Sequence, residues 1–206
     1  MFRSQLIILF AVFMYGFVHS LLASLGAKRR AREWFGPGVE RWYRLAYNFF
    51  GTITFLPVLG LVAALPDRRL YAVPAPWAYL MVAGQLAAVV VLAIGVAQTG
   101  LWTFLGIQQI FGTSPEDAPQ LVTGGLYRWV RHPLYTAGLA FIWLAPVMTG
   151  NLLAFNLGLT LYLVVGALYE ERKLVRVFGG AYLRYRERTP MLIPGFKRWK
   201  VGRLER

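Results

Sequence analysis

Cysteine is absent from the 206 residues, and acids are scarce: nine Asp and Glu stand against 22 Lys and Arg, beside only two His. Without cysteine there is no disulfide framework, thiolate metal site or cysteine nucleophile, and no metal centre is expected. Charged residues make up 15% of the chain, where a soluble domain carries about a quarter. With 57% hydrophobic residues and a mean hydropathy of +0.50, the composition excludes an ordinary soluble domain and indicates a membrane protein.

Charge is missing locally as well. Residues 4–27, 45–66, 74–115 and 134–169 contain no Asp, Glu, Lys or Arg. The first two runs each suit one bilayer-spanning helix of about 20 residues. The third is too long for one span; Trp77–Ala97 reads as the third helix, followed by an aromatic stretch, Leu101–Gly112, lying at or re-entering the interface. The fourth is interrupted by Pro146 and Thr149-Gly150-Asn151, a turn signal, and reads as a hairpin of a fourth and a fifth span. The expected fold is therefore all-α, a polytopic membrane bundle of five transmembrane helices forming one domain over residues 1–206. Residues 1–97 would supply three spans and 197–206 a basic tail. Lys28-Arg29-Arg30 behind the first span argues that it is retained and not cleaved as a signal peptide.

The net charge of +13 raises nucleic acid as a partner, but the basic residues are spread over loops and form no nucleic-acid-binding module. Nineteen of the 22 Lys and Arg fall in the loop after the first span, the loop after the third, and the segment from Glu170 onward. Basic loops stay in the cytoplasm, which puts the N-terminus outside and the C-terminus inside, with membrane lipids as the partners of the surplus charge.

The polar groups able to do chemistry gather in two segments. One runs from Gly124-Gly125 through Tyr127-Arg128-Trp129-Val130-Arg131-His132-Pro133 to Tyr135; the other holds Glu170-Glu171-Arg172, Phe178-Gly179-Gly180, Tyr182, Tyr185 and Pro190-Met191-Leu192-Ile193-Pro194. A hairpin returns its two ends to one membrane face, so Arg131 and His132 should meet Glu170 and Glu171. Pro133 suits the first turn of a helix, which places Arg131 and His132 at its positive N-terminus, a place for an anion. Glu170 and Glu171 would pair with Arg131 or bind a cationic group. A zwitterionic ligand would match both. His19, inside the first span, is either a functional group or a neutral imidazole bonded to a neighbouring helix. Gln85, Gln108 and Gln109 either line a substrate cavity or, for the first above all, bond between helices.

These residues also carry a resemblance. Arg131-His132-Pro133-Leu134-Tyr135, Glu170-Glu171-Arg172, the Phe178–Tyr185 run and the Pro190–Pro194 pair resemble, in that order, the isoprenylcysteine carboxyl methyltransferase superfamily. His19-Ser20, Trp42-Tyr43-Arg44-Leu45, Phe104–Gln109 and Ala145–Gly150 look closest to its methanethiol S-methyltransferase and NnrU-like branches. The resemblance implies an enzyme that uses S-adenosyl-L-methionine, with residues 98–196 as the cofactor-binding core and an active site on the cytoplasmic side of a bacterial inner membrane. It implies that His132, Tyr135 and Glu170 contact the cofactor and that Tyr182, Tyr185, Met191 and Leu192 wall its pocket. Arg131 and Glu171 would be catalytic, orienting the substrate or bracing the site. His19, Gln108 and Gln109, read from their own polarity and not from the resemblance, are the candidates to face the substrate. The acceptor would be a thiol, an isoprenylcysteine-type carboxylate or a phospholipid amine. The competing readings are an NADPH-dependent sterol-type reductase, a non-enzymatic NnrU-like protein, and a small transporter or assembly factor.

Overall fold

A computed structural model describes residues 2–111 and 121–195; Gly112, the uncharged residues 113–115 and the basic tail 197–206 lie outside them. The chain opens with α1 (Phe2–Ala23), whose buried positions Ser4, Ile8, Val12 and Gly16 recur every four residues and make a single inward stripe. Phe10, Phe13 and Phe17 point outward and are exposed, as they are where the surrounding solvent is lipid. Ser24 caps the next helix, α2 (Leu25–Phe35), by accepting the Ala27 N–H at 3.1 Å. There follow α3 (Val39–Ala64), a short strand β1 (Arg69–Ala72), α4 (Trp77–Thr99) and the one-turn α5 (Leu101–Leu105). After a single 3₁₀ turn at Gly125–Arg128 come α6 (Pro133–Trp143), strand β2 (Val147–Thr149), α7 (Gly150–Phe178) and α8 (Gly180–Arg188).

Helices α1, α3, α4 and α7 are long and apolar enough to cross a membrane. The expected fourth span is different. Its helix, α6, has 11 residues and reaches only about 16 Å, half of a bilayer core. Beyond it the chain runs extended through β2, which pairs antiparallel with β1 in the register Arg69 with Thr149 and Ala72 with Val147. The Thr149-Gly150-Asn151 group is therefore not a turn between helices. Thr149 ends the strand and caps α7, its hydroxyl accepting the Leu152 N–H at 3.2 Å.

A helix that stops among packed neighbours leaves carbonyls without an intrahelical partner, which those neighbours must satisfy. Gln85 of α4 donates to the Phe141 carbonyl at 2.9 Å, and Asn156 of α7 to the Ile142 carbonyl at 2.8 Å. Gln85 thus has the interhelical role open to it in the sequence. α6 packs mainly along α4, while α1 lies between α3 and α7 over a core of Ile8, Val12, Val58, Ala154 and Phe155. At the ribbon end, the fully buried Asn151 accepts from Gln5 at 3.1 Å, donates to the Leu65 carbonyl at 3.0 Å, and gives its backbone N–H to Asp67.

Candidate active site

Opposite the ribbon, the start of α6 meets the last turns of α7. Pro133 occupies the first turn of α6, as its fixed φ and missing N–H favour. The N–H groups just before it are taken by the segment after α8: Arg131 donates its backbone N–H to the Pro190 carbonyl at 2.9 Å, and His132 to the Met191 carbonyl at 3.1 Å. Thr136, one turn further along α6, donates its hydroxyl to the Leu192 carbonyl at 2.6 Å. Residues 190–192 are thereby strapped across the helix start.

Inside this frame the two glutamates have different fates. Glu171 is buried and pairs with Arg131, whose Nε and Nη2 both reach Oε1 at 2.5 Å; the two side chains are 9% and 8% exposed. The same guanidinium donates to the carbonyls of Arg186, at 3.1 Å, and Thr189. Four of its five N–H donors are thereby engaged by the protein. Glu170 remains 46% exposed; it accepts the Tyr135 hydroxyl at 3.1 Å and lies 3.6 Å from His132 Nδ1. His132 is itself buried, stacked on Tyr135 at 5.4 Å between ring centres, with Nε2 3.5 Å from Glu171.

Glu170, His132 and Tyr135 face a cavity of about 290 Å³, which Arg131, Tyr127, Tyr182 and Tyr185 also line. Burial pushes the Tyr182 phenol up to about 12, with Glu171 adding to the shift and Arg131 opposing it. Burial also raises Tyr185 and, with help from Glu170, Tyr127. All three phenols stay protonated at neutral pH and are donors, not bases. Tyr185 spends its proton on the Tyr127 carbonyl at 2.6 Å, fixing the loop before α6 to α8. That loop turns at Gly125, where φ is +59° and a Cβ would meet the Gln98 side chain at 2.3 Å; Gln98 Oε1 accepts the Leu126 N–H in return.

Of the residues expected at the site, His132, Tyr135, Glu170, Tyr182, Tyr185 and Arg131 line one cavity, with Glu171 directly behind. Met191 and Leu192 contribute backbone carbonyls to the strap and are not among the residues lining the cavity. Gln108 and Gln109 belong to the loop after α5; Gln108 bonds with the Thr103 hydroxyl and faces a separate opening beside Trp102 and Phe111. His19 is not among the residues lining the cavity; its ring packs against Tyr47 of α3 and Tyr162 of α7. Phe104 and Phe178, named in the sequence only as parts of motifs, also line the cavity, and Thr99 and the anchor Thr136 were missed. Of those two, Thr136 carried a signal, a hydroxyl four residues after His132 and so on the same helix face.

The phospholipid methyltransferase family model matches residues 75–181, slightly more than half of the sequence, and spans this whole junction of α4, α6 and α7. The chain belongs to that family. Its relatives within the group are named for different acceptors. Methanethiol S-methyltransferase 1 of Bradyrhizobium diazoefficiens is 45% identical over 76 residues, 37% of this chain and 27% of that protein. The methanethiol S-methyltransferase of Mycobacterium tuberculosis is 28% identical over 187 residues, 85% of this chain and 72% of that protein. The protein-S-isoprenylcysteine O-methyltransferase of Rattus norvegicus is 34% identical over 92 residues, covering 42% and 31%. The matched part is thus less than a third of the Bradyrhizobium and rat proteins. No solved structure matches the chain.

Proposed function

We propose that this protein is an integral-membrane enzyme that methylates a small thiol, with S-adenosylmethionine as donor at the His132–Glu170 cavity. The observation that carries this reading is the asymmetry of the glutamates. Glu171 is neutralised by Arg131, while Glu170 presents a carboxylate to a cavity walled by aromatic rings.

The cavity fits the donor chemically. Glu170 would hold the cationic amino group. The α6 N-terminus, where no side chain caps the helix and where Leu134 and Tyr135 border the cavity, would hold the carboxylate. Phenol and phenyl faces from Tyr127, Tyr182 and Phe178 suit a positively charged sulfur. When bound, S-adenosylmethionine supplies a methyl group on an electron-poor sulfonium. The protein's share is to hold that group and exclude water. Arg131 and Glu171, named above as catalytic, act in this reading as a brace: their pairing fixes the end of α7 to the start of α6 and to the strap.

A thiol is preferred to a carboxylate or an amine because the methanethiol-named mycobacterial relative aligns along 85% of this chain. The rat relative aligns with less than half. The chain also reads as crossing the membrane five times. Gly150 and Glu171 lie about 31 Å apart along α7, and the chain from His132 to Thr149 covers the same height in the opposite direction. The basic α2 and α8 support a cavity on the cytoplasmic side, in this reading that of a bacterial inner membrane.

The test is turnover by detergent-purified protein given S-adenosylmethionine and methanethiol, with dimethyl sulfide as the product measured. Formation of the product by the wild type, and a loss of roughly 100-fold in Glu170→Gln with folding intact, are expected. Undiminished turnover in Glu170→Gln would remove the cavity from the account. Methylation of an isoprenylcysteine or phospholipid analogue in place of the thiol would overturn the acceptor.

A further inference from the structure

A second polar cluster, unused by the site described so far, lies between α1, α3 and α7. His19 of α1 shares a 2.5 Å hydrogen bond through Nε2 with the Tyr47 hydroxyl of α3. Its ring stacks on Tyr15 at 5.4 Å and meets the edge of Tyr162 of α7 at 6.4 Å. Two glycines make the packing possible. A Cβ at Gly51 would come 2.8 Å from His19, and one at Gly16 would come 2.6 Å from Tyr162. The other imidazole nitrogen, Nδ1, is buried against Gly51 with no hydrogen-bond partner. A histidine kept only to tie two helices together would be expected to satisfy both nitrogens, since a buried polar atom left unmade costs stability.

The cluster neighbours the cavity through α3 and α7. Tyr162 stands eight residues before Glu170 on α7, about 12 Å along the axis. Asn48, next to Tyr47, donates to the carbonyl of Phe104, another lining residue, at 3.0 Å. The rings around His19 are uncharged at neutral pH, which suits a small neutral acceptor and not a phosphate-bearing one.

We propose that Tyr47 and His19 form the acceptor subsite, with Tyr47 receiving the proton of a small thiol and His19 standing behind it as the positioning residue that takes the proton on. This rests on the methyltransferase reading above. In the direction required, Tyr47 donates its hydrogen bond to Nε2, and its oxygen is left to accept the thiol S–H. As the acceptor sulfur gains the methyl group, Tyr47 takes the thiol proton and passes its own to Nε2. S-adenosylmethionine, held at Glu170, would supply the methyl and with it give up its positive charge. That charge reappears on the imidazolium, which later releases a proton to water.

His19 and His132 are the only histidines of the chain, so imidazole ¹⁵N resonances report the two subsites separately. In the full-length wild-type protein in detergent, ethanethiol is expected to shift the His19 nitrogens and leave those of His132 in place. S-adenosylhomocysteine is expected to do the reverse. Signals are assigned by their loss in His19→Gln. In turnover, His19→Gln and Tyr47→Phe are expected to lose about 100-fold with an alkanethiol and far less with a thiophenol, whose acidic proton needs less help from a base. Affinity for S-adenosylhomocysteine is expected to be unchanged in both variants. Ethanethiol leaving His19 unmoved, or an equal loss with both thiols, overturns the subsite while intact S-adenosylhomocysteine binding preserves the donor site. Failure of S-adenosylhomocysteine to bind the wild type removes the reading beneath it.

Discussion

Adjacent residues on a helix point about 100° apart, and at the end of α7 that single step divides the work between two identical side chains. Glu171 turns inward to a buried guanidinium, while Glu170 turns to the cavity. A buried ion pair contributes little net stability, but removing one partner strands the other charge and costs about 3–5 kcal/mol. Glu171→Met and Arg131→Met should each lower the thermal midpoint in detergent sharply. The double variant should recover much of the loss, because no charge is then left unpaired. Single variants as stable as the wild type would show that the pair is not the brace described. Both glutamates and Arg131 could be named from the sequence, yet which glutamate takes the arginine could not. That choice depends on a rotation of one residue about the helix axis, and no local pattern in Tyr169-Glu170-Glu171-Arg172 fixes it. His19 was legible for a different reason, as an ionisable residue in an otherwise uncharged run; its bond to Tyr47, 28 residues away, was not.

Element by element, the long spans were the easy part. Absence of charge over 20 or more residues is a strong signal, and the expected third helix, Trp77–Ala97, differs from α4 by two residues. The ribbon was invisible. β1 is a four-residue strand with every residue exposed, and its partner lies about 80 residues away, so no alternation or turn announces the pairing. Thr149-Gly150-Asn151 misled because the same residue types punctuate turns and start helices. Asn151 holds this end together from a fully buried position, joining α1, the end of α3 and Asp67. Asn151→Ala should therefore cost about 1–3 kcal/mol by leaving the Leu65 carbonyl and the Gln5 amide unpaired. Thermal unfolding in detergent measures this, and the cavity at the far end of α7 should keep its ligand affinity. A variant that unfolds like the wild type would contradict the role given to Asn151.

For the molecule as a whole, two asymmetries are aligned: basic residues concentrate at the end of the bundle that carries the cavity, and the ribbon closes the other end. The absence of cysteine makes the orientation directly measurable. A membrane-impermeant maleimide should label Arg68→Cys in intact cells and Arg184→Cys only after the membrane is opened; the opposite pattern would invert the topology. The central claim is that the junction of α6, α7 and the strap is a donor site built around Glu170. Calorimetric titration of S-adenosylmethionine into detergent-purified wild type and Glu170→Ala tests it most directly. The account predicts saturable binding by the wild type, weakened at least tenfold in a Glu170→Ala protein that unfolds at the same temperature. Equal binding by both proteins, or none by a folded wild type, would contradict it.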